Sequence, residues 1–569
     1  MSDLTGRQAP LTRKVLVLGE DDRSFLTVVR SLGRRGLRVH VGWCPPSWAA
    51  LRSRYVARVH DIPPYDPADD RWKRSLISIM QQEKFDLVIP TNDKALLPLQ
   101  THRADFAEYA PIYLLNERAF EVAYDKLKTC ELAASLDIPV PPCVVMSRTS
   151  EADSVLRELQ PPVVLKPRAS YSLSDLANKR CVRKAHTKED LEAYLAIMLP
   201  EGKVLAQQDV PGSGVGVEVL ARRGAILLAF QHVRIHESLM GGGTYRKSVA
   251  VQPELLDAVA KLVRALDYTG VAMVEFKVDF KTGDWFLLEI NGRFWGSLPL
   301  AVAAGADFPY HLYQLLVEGK QAFPQNYRKG IYCRSVFADI RWMRQNFRAD
   351  RSDRTLRVLP FWQVAQEVMN IFTFQERSDT FVLDDLKPGF VELWRFGLDM
   401  AGRIRLRLLS VPVIRKVHAR RARRALRKAG AVLFVCHGNI CRSPFAQLYA
   451  RRVLPGSVTV ASSGCCPEEG RACPQAAIDA AAEMGIDLTR HRSCAVSEAA
   501  LRDADVVFTF DEENYRTLLA RYPAVKQKIH RLGIFLSHGH VGIRDPYGGS
   551  LDDFRAAYRS IADCIEIIG

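Results

Sequence analysis

The segment VCHGNICRSP, residues 435–444, holds a cysteine, Cys436, and an arginine, Arg442, six positions later. An apolar run, AVLFV, leads into the cysteine, and Pro444 opens a stretch of helical periodicity, SPFAQLYARRVL. A strand–loop–helix junction aims backbone N–H groups at an anion. The spacing lets the loop close with the Cys436 sulfur at its centre and the Arg442 guanidinium on its rim, where it can grip two phosphate oxygens as a fork. An electropositive loop favours the thiolate, and Ser443 can donate to the sulfur. A thiolate held this way attacks phosphorus and forms a cysteinyl-phosphate. The leaving alkoxide or phenoxide needs a proton. Asp545 in IRDPYGG, stiffened by Pro546, is the expected general acid, with Tyr547 a candidate wall of the cleft.

A second constellation lies upstream. The segments VEFKVDF and FLLEIN are expected to form a hairpin that sets Glu275 near Glu289. Glu289 and Asn291 are two apart, so they share a strand face. Three oxygen-bearing side chains on one face suit a hard cation, Mg²⁺ or Mn²⁺, with substrate phosphates completing its shell. Arg293 follows on that face. Lys126 in AYDKLK and Lys166 in VVLKP add positive charges for phosphate oxygens.

The elements that must carry these groups follow from apolar patterning. KVLVLGEDD (14–22) reads as a buried strand, RSFLTVVRSLGRRG (23–36) as an amphipathic helix, and LRVHVGW and FDLVIPTND as further strands. The alternation predicts a parallel α/β domain over 14–114. Gly19 stands alone, so no dinucleotide fingerprint is formed. Residues 115–320 read as α+β. PPVVLKP, KVLAQQDV, GVEVLARRGAILLAFQHVRI, GVAMVEFKVDF and DWFLLEIN are strands, and the turns RRG and KTGD imply antiparallel hairpins. Residues 321–400 form a partly helical extension with no evident chemistry. Residues 401–428 read as a basic linker and 429–569 as a second alternating α/β domain.

A chain of 569 residues exceeds a single core. No apolar run is long enough to cross a membrane, and the N-terminus lacks the apolar core of a secretory signal. A cytoplasmic protein is therefore expected. The twelve cysteines form no CxxC pair and no Cys/His spacing typical of zinc, which fits reduced thiols. Net charge is +15, and residues 403–428 carry eleven Lys or Arg and no acid. That run suits a solvated linker helix or, through the interleaved Leu406, Leu408, Leu409, Val413, Ile414 and Val417, peripheral contact with an anionic membrane. It has no aromatic residue for base stacking, so no nucleic acid partner is expected.

With these residues assembled, two resemblances stand out. Residues 14–320 resemble the ATP-grasp superfamily, most closely its carbamoyl-phosphate-synthetase-like branch. DKLKTCELAASLDIPVP, VVLKP, LAQQDVPG and VEFKVD…LLEINGRFWGSLPLAVAAG carry the match. The resemblance implies ATP between two α+β lobes. Lys126 and Lys166 would bind phosphates, with Arg293 beside them. Gln207, Gln208, Asp209 and Val210 would form the adenine hinge, and Glu275, Glu289 and Asn291 would hold magnesium. It also implies ligation of a small carboxylate to an amine or thiol through an acyl phosphate. The loop RASYSLSDLANKR after Lys166 departs from the family's Gly-rich phosphate cover, and Gln208 stands where Glu is common. These departures leave open a nucleotide-binding module that regulates or tethers its neighbour.

Residues 431–569 resemble the low-molecular-weight protein-tyrosine phosphatases, through HGNICRSP, SSG (462–464), GIDLTRHRS, DADVVFTF and DPY. That likeness implies Cys436 as nucleophile, Arg442 as phosphate binder and Asp545 as acid, with no cofactor and a phosphotyrosine protein as substrate. Asn439, Ser443, Ser462 and His491 would support the loop, and Cys441 would be the partner for a protective disulfide with Cys436. Arsenate reductases use the same loop. Cys494 could serve as a relay thiol, but the intact DPY favours the phosphatase.

Overall fold

The computed structural model describes residues 13–21, 23–176, 178–238, 242–349, 358–370, 375–465, 469–536 and 541–569. Residues 1–12, whose polarity gave no secretion signal, lie outside them. The chain divides into two compact units, Met1–Trp394 and Arg395–Gly569.

The first unit opens with a four-stranded parallel sheet in the order Val56–Val59, Arg38–Gly42, Lys14–Leu18, Leu87–Pro90. Its central strand is apolar on both faces. Val15 and Val17 pack with Phe25 and Val28 of helix Ser24–Arg34, while Leu16 and Leu18 pack with Trp72 and Leu76 of helix Arg71–Glu83. Coverage on both sides is what parallel strands require.

A small antiparallel sheet follows, ordered Cys143–Met146, Val204–Gln208, Val163–Pro167, Arg183–Ala185. Its apolar face rests on helices Ala152–Glu158 and Lys188–Met198 through Val155, Leu191 and Leu195.

The largest sheet has seven strands, ordered Trp285–Asn291, Gly270–Val278, Ser213–Arg222, Ala225–Glu237, Gly243–Val249, Tyr332–Arg334, Glu376–Ser378. Both expected hairpins are present. Arg223 and Gly224, each with positive φ (46° and 76°), turn the first, the geometry that matches the twist of paired strands. The last two strands come from the stretch read as an extension without chemistry. That stretch is tied back by a buried ion pair, Arg30 Nε–Asp385 at 2.8 Å, and Ser53 Oγ donates to the same carboxylate oxygen at 2.7 Å.

The second unit is built on a four-stranded parallel sheet, ordered Thr459–Gly464, Ala431–Cys436, Val506–Thr509, Ile529–Arg531. Helices Arg442–Val453 and Leu551–Ile568 cover one face, with the Phe445 and Tyr558 rings stacked at 4.1 Å. Tyr515 and Leu518 of helix Glu512–Arg521 pack against Leu433 and Val435 on the other. The basic stretch is helical, in the end of Lys387–Ser410 and in Pro412–Leu426, and Leu409, Ala422 and Leu426 join the second unit's core. No helix among the described residues is long and apolar enough to cross a membrane.

Candidate active site

Strand Ala431–Cys436 ends at the cysteine, the chain turns through Asn439, and helix Arg442–Val453 begins at the arginine. Asn439 sits in the left-handed region at φ 53°, a conformation asparagine tolerates better than most residues. Its N–H donates to Cys436 Sγ at 3.2 Å. Its side-chain amide donates to Ser443 Oγ and Ser462 Oγ, each at 2.9 Å. Its Oδ1 accepts from the Cys494 N–H at 2.8 Å, and its carbonyl meets His491 Nε2 at 2.8 Å. This one residue thus ties the loop to two other segments, strand Thr459–Gly464 and the stretch 491–494.

Ser443 Oγ lies 3.1 Å from Cys436 Sγ. Because that oxygen already accepts from Asn439, its own proton is free for the sulfur or for the Ser463 carbonyl at 3.3 Å. The SSG motif has a steric basis as well, since a Cβ on Gly464 would come within 2.9 Å of Asn439 N and of His437 O.

Arg442 is 1% exposed. One terminal nitrogen donates to Asp511 Oδ2 at 2.6 Å and to the Ile543 carbonyl at 3.0 Å, and the other to Asp545 Oδ2 at 2.5 Å. Burial opposes its charge, and Asp545 and Asp511 overcome that to raise its pKa. Asp511 was not singled out from sequence. It caps helix Glu512–Arg521 by accepting from Asn514 N at 2.7 Å, so its signature reads as a helix start, while its other oxygen orients Arg442. Gln447 also escaped notice; its Oε1 accepts from Ser462 Oγ at 2.7 Å. Cys441 is buried, which pushes its thiol pKa up, and both loop cysteines are free thiols. Tyr547 is 49% exposed, two residues past Asp545.

In the first unit, Glu275 and Glu289 are direct cross-strand partners, and Met273 pairs with Asn291. Asn291 Nδ2 lies 3.4 Å from Glu275 Oε1 and 3.3 Å from Glu289 Oε1, so the three side chains converge. Lys126 Nζ lies 3.9 Å from Glu289 Oε2. Burial and the Glu289 charge raise the Glu275 pKa even against Arg234, whereas the Glu289 pKa is lowered by Lys126 and Lys166 in spite of its own desolvation. Burial lowers the Lys166 pKa. Two carboxylates beside Lys126 and Arg234, with an asparagine amide whose oxygen could turn to face them, are a donor set that fits Mg²⁺ bound together with phosphates.

The sequence missed Arg234, which pairs with Glu275 at 2.7 Å. Seeing it requires the register of three strands. Arg293 pairs with Asp93 at 2.8 Å, from the first sheet's end of the unit. The expected hinge residues are less uniform. Gln207 is 2% exposed with its Nε2 unpartnered. The Gln208 side chain is consumed by the Gln160 backbone at 2.9 and 2.8 Å, and Asp209 pairs with Lys184 at 2.7 Å. Glu218 is fully buried against His232 at 2.5 Å, and burial raises its pKa.

The second unit thus brings a buried arginine, a loop cysteine and the Asp545 carboxylate together at one strand–loop–helix junction. Residues 431–567 match the model for the low molecular weight phosphotyrosine protein phosphatase. The chain is 35% identical over 130 residues to the probable low molecular weight protein-tyrosine-phosphatase EpsP of Ralstonia nicotianae, covering 23% of this chain and 87% of that protein. It is 34% identical over 136 residues to a protein-arginine-phosphatase of Geobacillus stearothermophilus, 24% of this chain and 90% of that one. Through this unit the chain belongs to the low molecular weight phosphatase family.

Residues 201–336, within the first unit, match the model described as ATP-grasp in the biosynthetic pathway with Ter operon. The biotin carboxylase domain of Hydrogenobacter thermophilus 2-oxoglutarate carboxylase superimposes with a TM-score of 0.46 at 15% identity, covering 56% of this chain and 73% of that one.

Proposed function

We propose that the chain is bifunctional, a protein-tyrosine phosphatase joined to a Mg-ATP-dependent ligase of a carboxylate with an amine or thiol. The phosphatase reading rests on one observation above others, the convergence of Cys436, Asn439, Ser443, Arg442 and Asp545 on a single loop. Cys436 attacks phosphorus as a thiolate, facing the Asn439 N–H and the Ser443 hydroxyl. Arg442 holds two non-bridging oxygens and stabilises the charge that builds in transfer. Asp545 protonates the leaving oxygen, then takes a proton from the water that hydrolyses the cysteinyl-phosphate. Ser462 and His491 keep Asn439, and thereby the loop, in place.

In the first unit, Lys126 and Lys166 hold phosphate oxygens, Arg293 steadies the Asp93 side of the site, and Gln207–Val210 border the base. Glu275, Glu289 and Asn291 hold the cation, which when bound neutralises charge on the transferring phosphoryl group. Activation of a carboxylate as an acyl phosphate gives it a leaving group that an amine or thiol displaces. A second reading, a nucleotide-binding module without turnover, is favoured by the Gln208 side chain being spent on Gln160.

The protein works from the cytoplasm, with the 403–428 helices touching anionic lipid. Leu408, Val413 and Val417 are 52%, 71% and 59% exposed among those basic residues. Co-sedimentation with anionic vesicles tests that contact. Two assays separate the main readings. Release of ADP from Mg-ATP across carboxylates and amines supports the ligase, and nucleotide binding without release supports the second reading. Hydrolysis of phosphotyrosine peptides against phosphoarginine peptides decides the phosphatase substrate.

A further inference from the structure

Away from the catalytic loop, the second unit has a cavity of about 290 Å³ lined by Arg405, His418, Arg421, Lys526, His530 and Arg531, with Tyr515 and three aliphatic residues. Helix Pro412–Leu426 and the end of Lys387–Ser410 form one wall, and the edge strand Ile529–Arg531 the other. Only part of this lining belongs to the span that matches the phosphatase family.

The charges do not balance. Arg531 pairs with Glu512 at 2.5 Å. Arg405 reaches only the Tyr515 hydroxyl at 3.1 Å, and Arg405, Arg421 and Lys526 form no ion pair among the described residues. Four cations thus face one carboxylate. Tyr515 lies between two guanidinium groups, 4.8 Å from Arg405 and 3.8 Å from Arg531, which fixes both. His530 is 8% exposed with its Nε2 unpartnered, and Arg531, 6% exposed, has an unpartnered Nε. Buried polar atoms without partners are costly unless something supplies the partner. Both imidazoles are held below the ordinary histidine value, His530 at about 4, first by burial and then by neighbouring cationic groups. They therefore stay neutral at physiological pH.

We propose that this cleft binds a ligand bearing two or more clustered phosphates. Guanidinium forks and an ammonium surround it on several sides, and a single carboxylate would leave most of that charge uncompensated. Glu512, the present partner of Arg531, adjoins Asp511, which holds Arg442. The cleft and the catalytic arginine therefore share the start of one helix.

The test is calorimetric titration of the full chain with inorganic tripolyphosphate, with orthovanadate filling the Cys436 loop and ADP the first unit. A one-to-one site is expected in the parent. In Arg421→Ala/Lys526→Ala it should weaken at least tenfold, and in Lys416→Ala/Arg420→Ala, on the exposed side of the same helix, it should persist. The two lining residues are surface-exposed, and unchanged thermal unfolding will confirm that both variants fold. A parallel arm uses vesicles containing phosphatidylinositol bisphosphate. Binding of tripolyphosphate alone identifies a soluble ligand, and binding of both, lost together in the lining variant, identifies a headgroup. No binding in either arm, or equal affinity in the parent and the lining variant, overturns the proposal.

Discussion

Arg442 donates to Asp545 Oδ2 at 2.5 Å, joining the residue that should grip phosphate to the residue that should protonate the leaving group. The same guanidinium holds Asp511 through its other nitrogen. A phosphate that takes the unpartnered Nε of Arg442 and the nitrogen facing Asp545 would displace Asp545 and leave Asp511 in place. Substrate binding is then expected to free the carboxyl group proposed as the acid.

Asp545→Asn should slow hydrolysis in proportion to the basicity of the leaving group. General acid help is typically worth ~10²–10⁴-fold, so phenyl phosphate and phosphotyrosine should suffer most and p-nitrophenyl phosphate least. Rates across leaving groups of graded pKa measure this. An unchanged slope removes Asp545 from the mechanism.

Asp511→Asn should keep the fold but loosen Arg442. A charge-assisted hydrogen bond contributes roughly 1.5–3 kcal/mol, so inhibition by vanadate should weaken by about tenfold or more. Retention of parental vanadate affinity would show that Ile543 and the loop alone orient the guanidinium.

Glu289→Ala should weaken magnesium-dependent ATP binding by removing a hard ligand from the Glu275–Glu289–Asn291 set, and should leave phosphatase turnover unchanged. Calorimetry with and without magnesium reads the effect. Equal affinities in parent and variant count against this cation site.

The stability of the first unit should fall as pH drops. His40 is 1% exposed, and burial depresses its pKa from 6.5 to about 4. Between those values the unfolded chain binds the proton that the folded chain refuses, so stability is full above 6.5 and is lost toward 4. The total is roughly 3 kcal/mol. Denaturant melts of His40→Gln should be flatter across this window, and a slope equal to the parent's would contradict the assignment.

What the sequence revealed was local. Cys436 and Arg442 are six residues apart on one loop, and Glu275 and Glu289 meet across one hairpin, so spacing and strand alternation suffice to bring each pair together. What it hid needed tertiary register. Asp511 lies 69 residues from Arg442 and looks like an ordinary helix cap. Arg234 reaches Glu275 only because two strands flank Ser213–Arg222 in register. The stretch after 320 looked inert because its chemistry is structural. Arg334 bridges Asp339 and Glu376, and Asp379 holds Arg246 at 2.5 Å, contacts between residues that carry no shared motif.

Phosphate is expected to pass through Cys436. Rapid acid quench during turnover of a phosphotyrosine peptide, followed by mass spectrometry, tests it most directly. One phosphoryl group is expected on the peptide containing Cys436, accumulating further in Asp545→Asn with an activated aryl phosphate, and neither adduct nor turnover in Cys436→Ser. Continued phosphate release by Cys436→Ser, or turnover with the label on another residue, would contradict it.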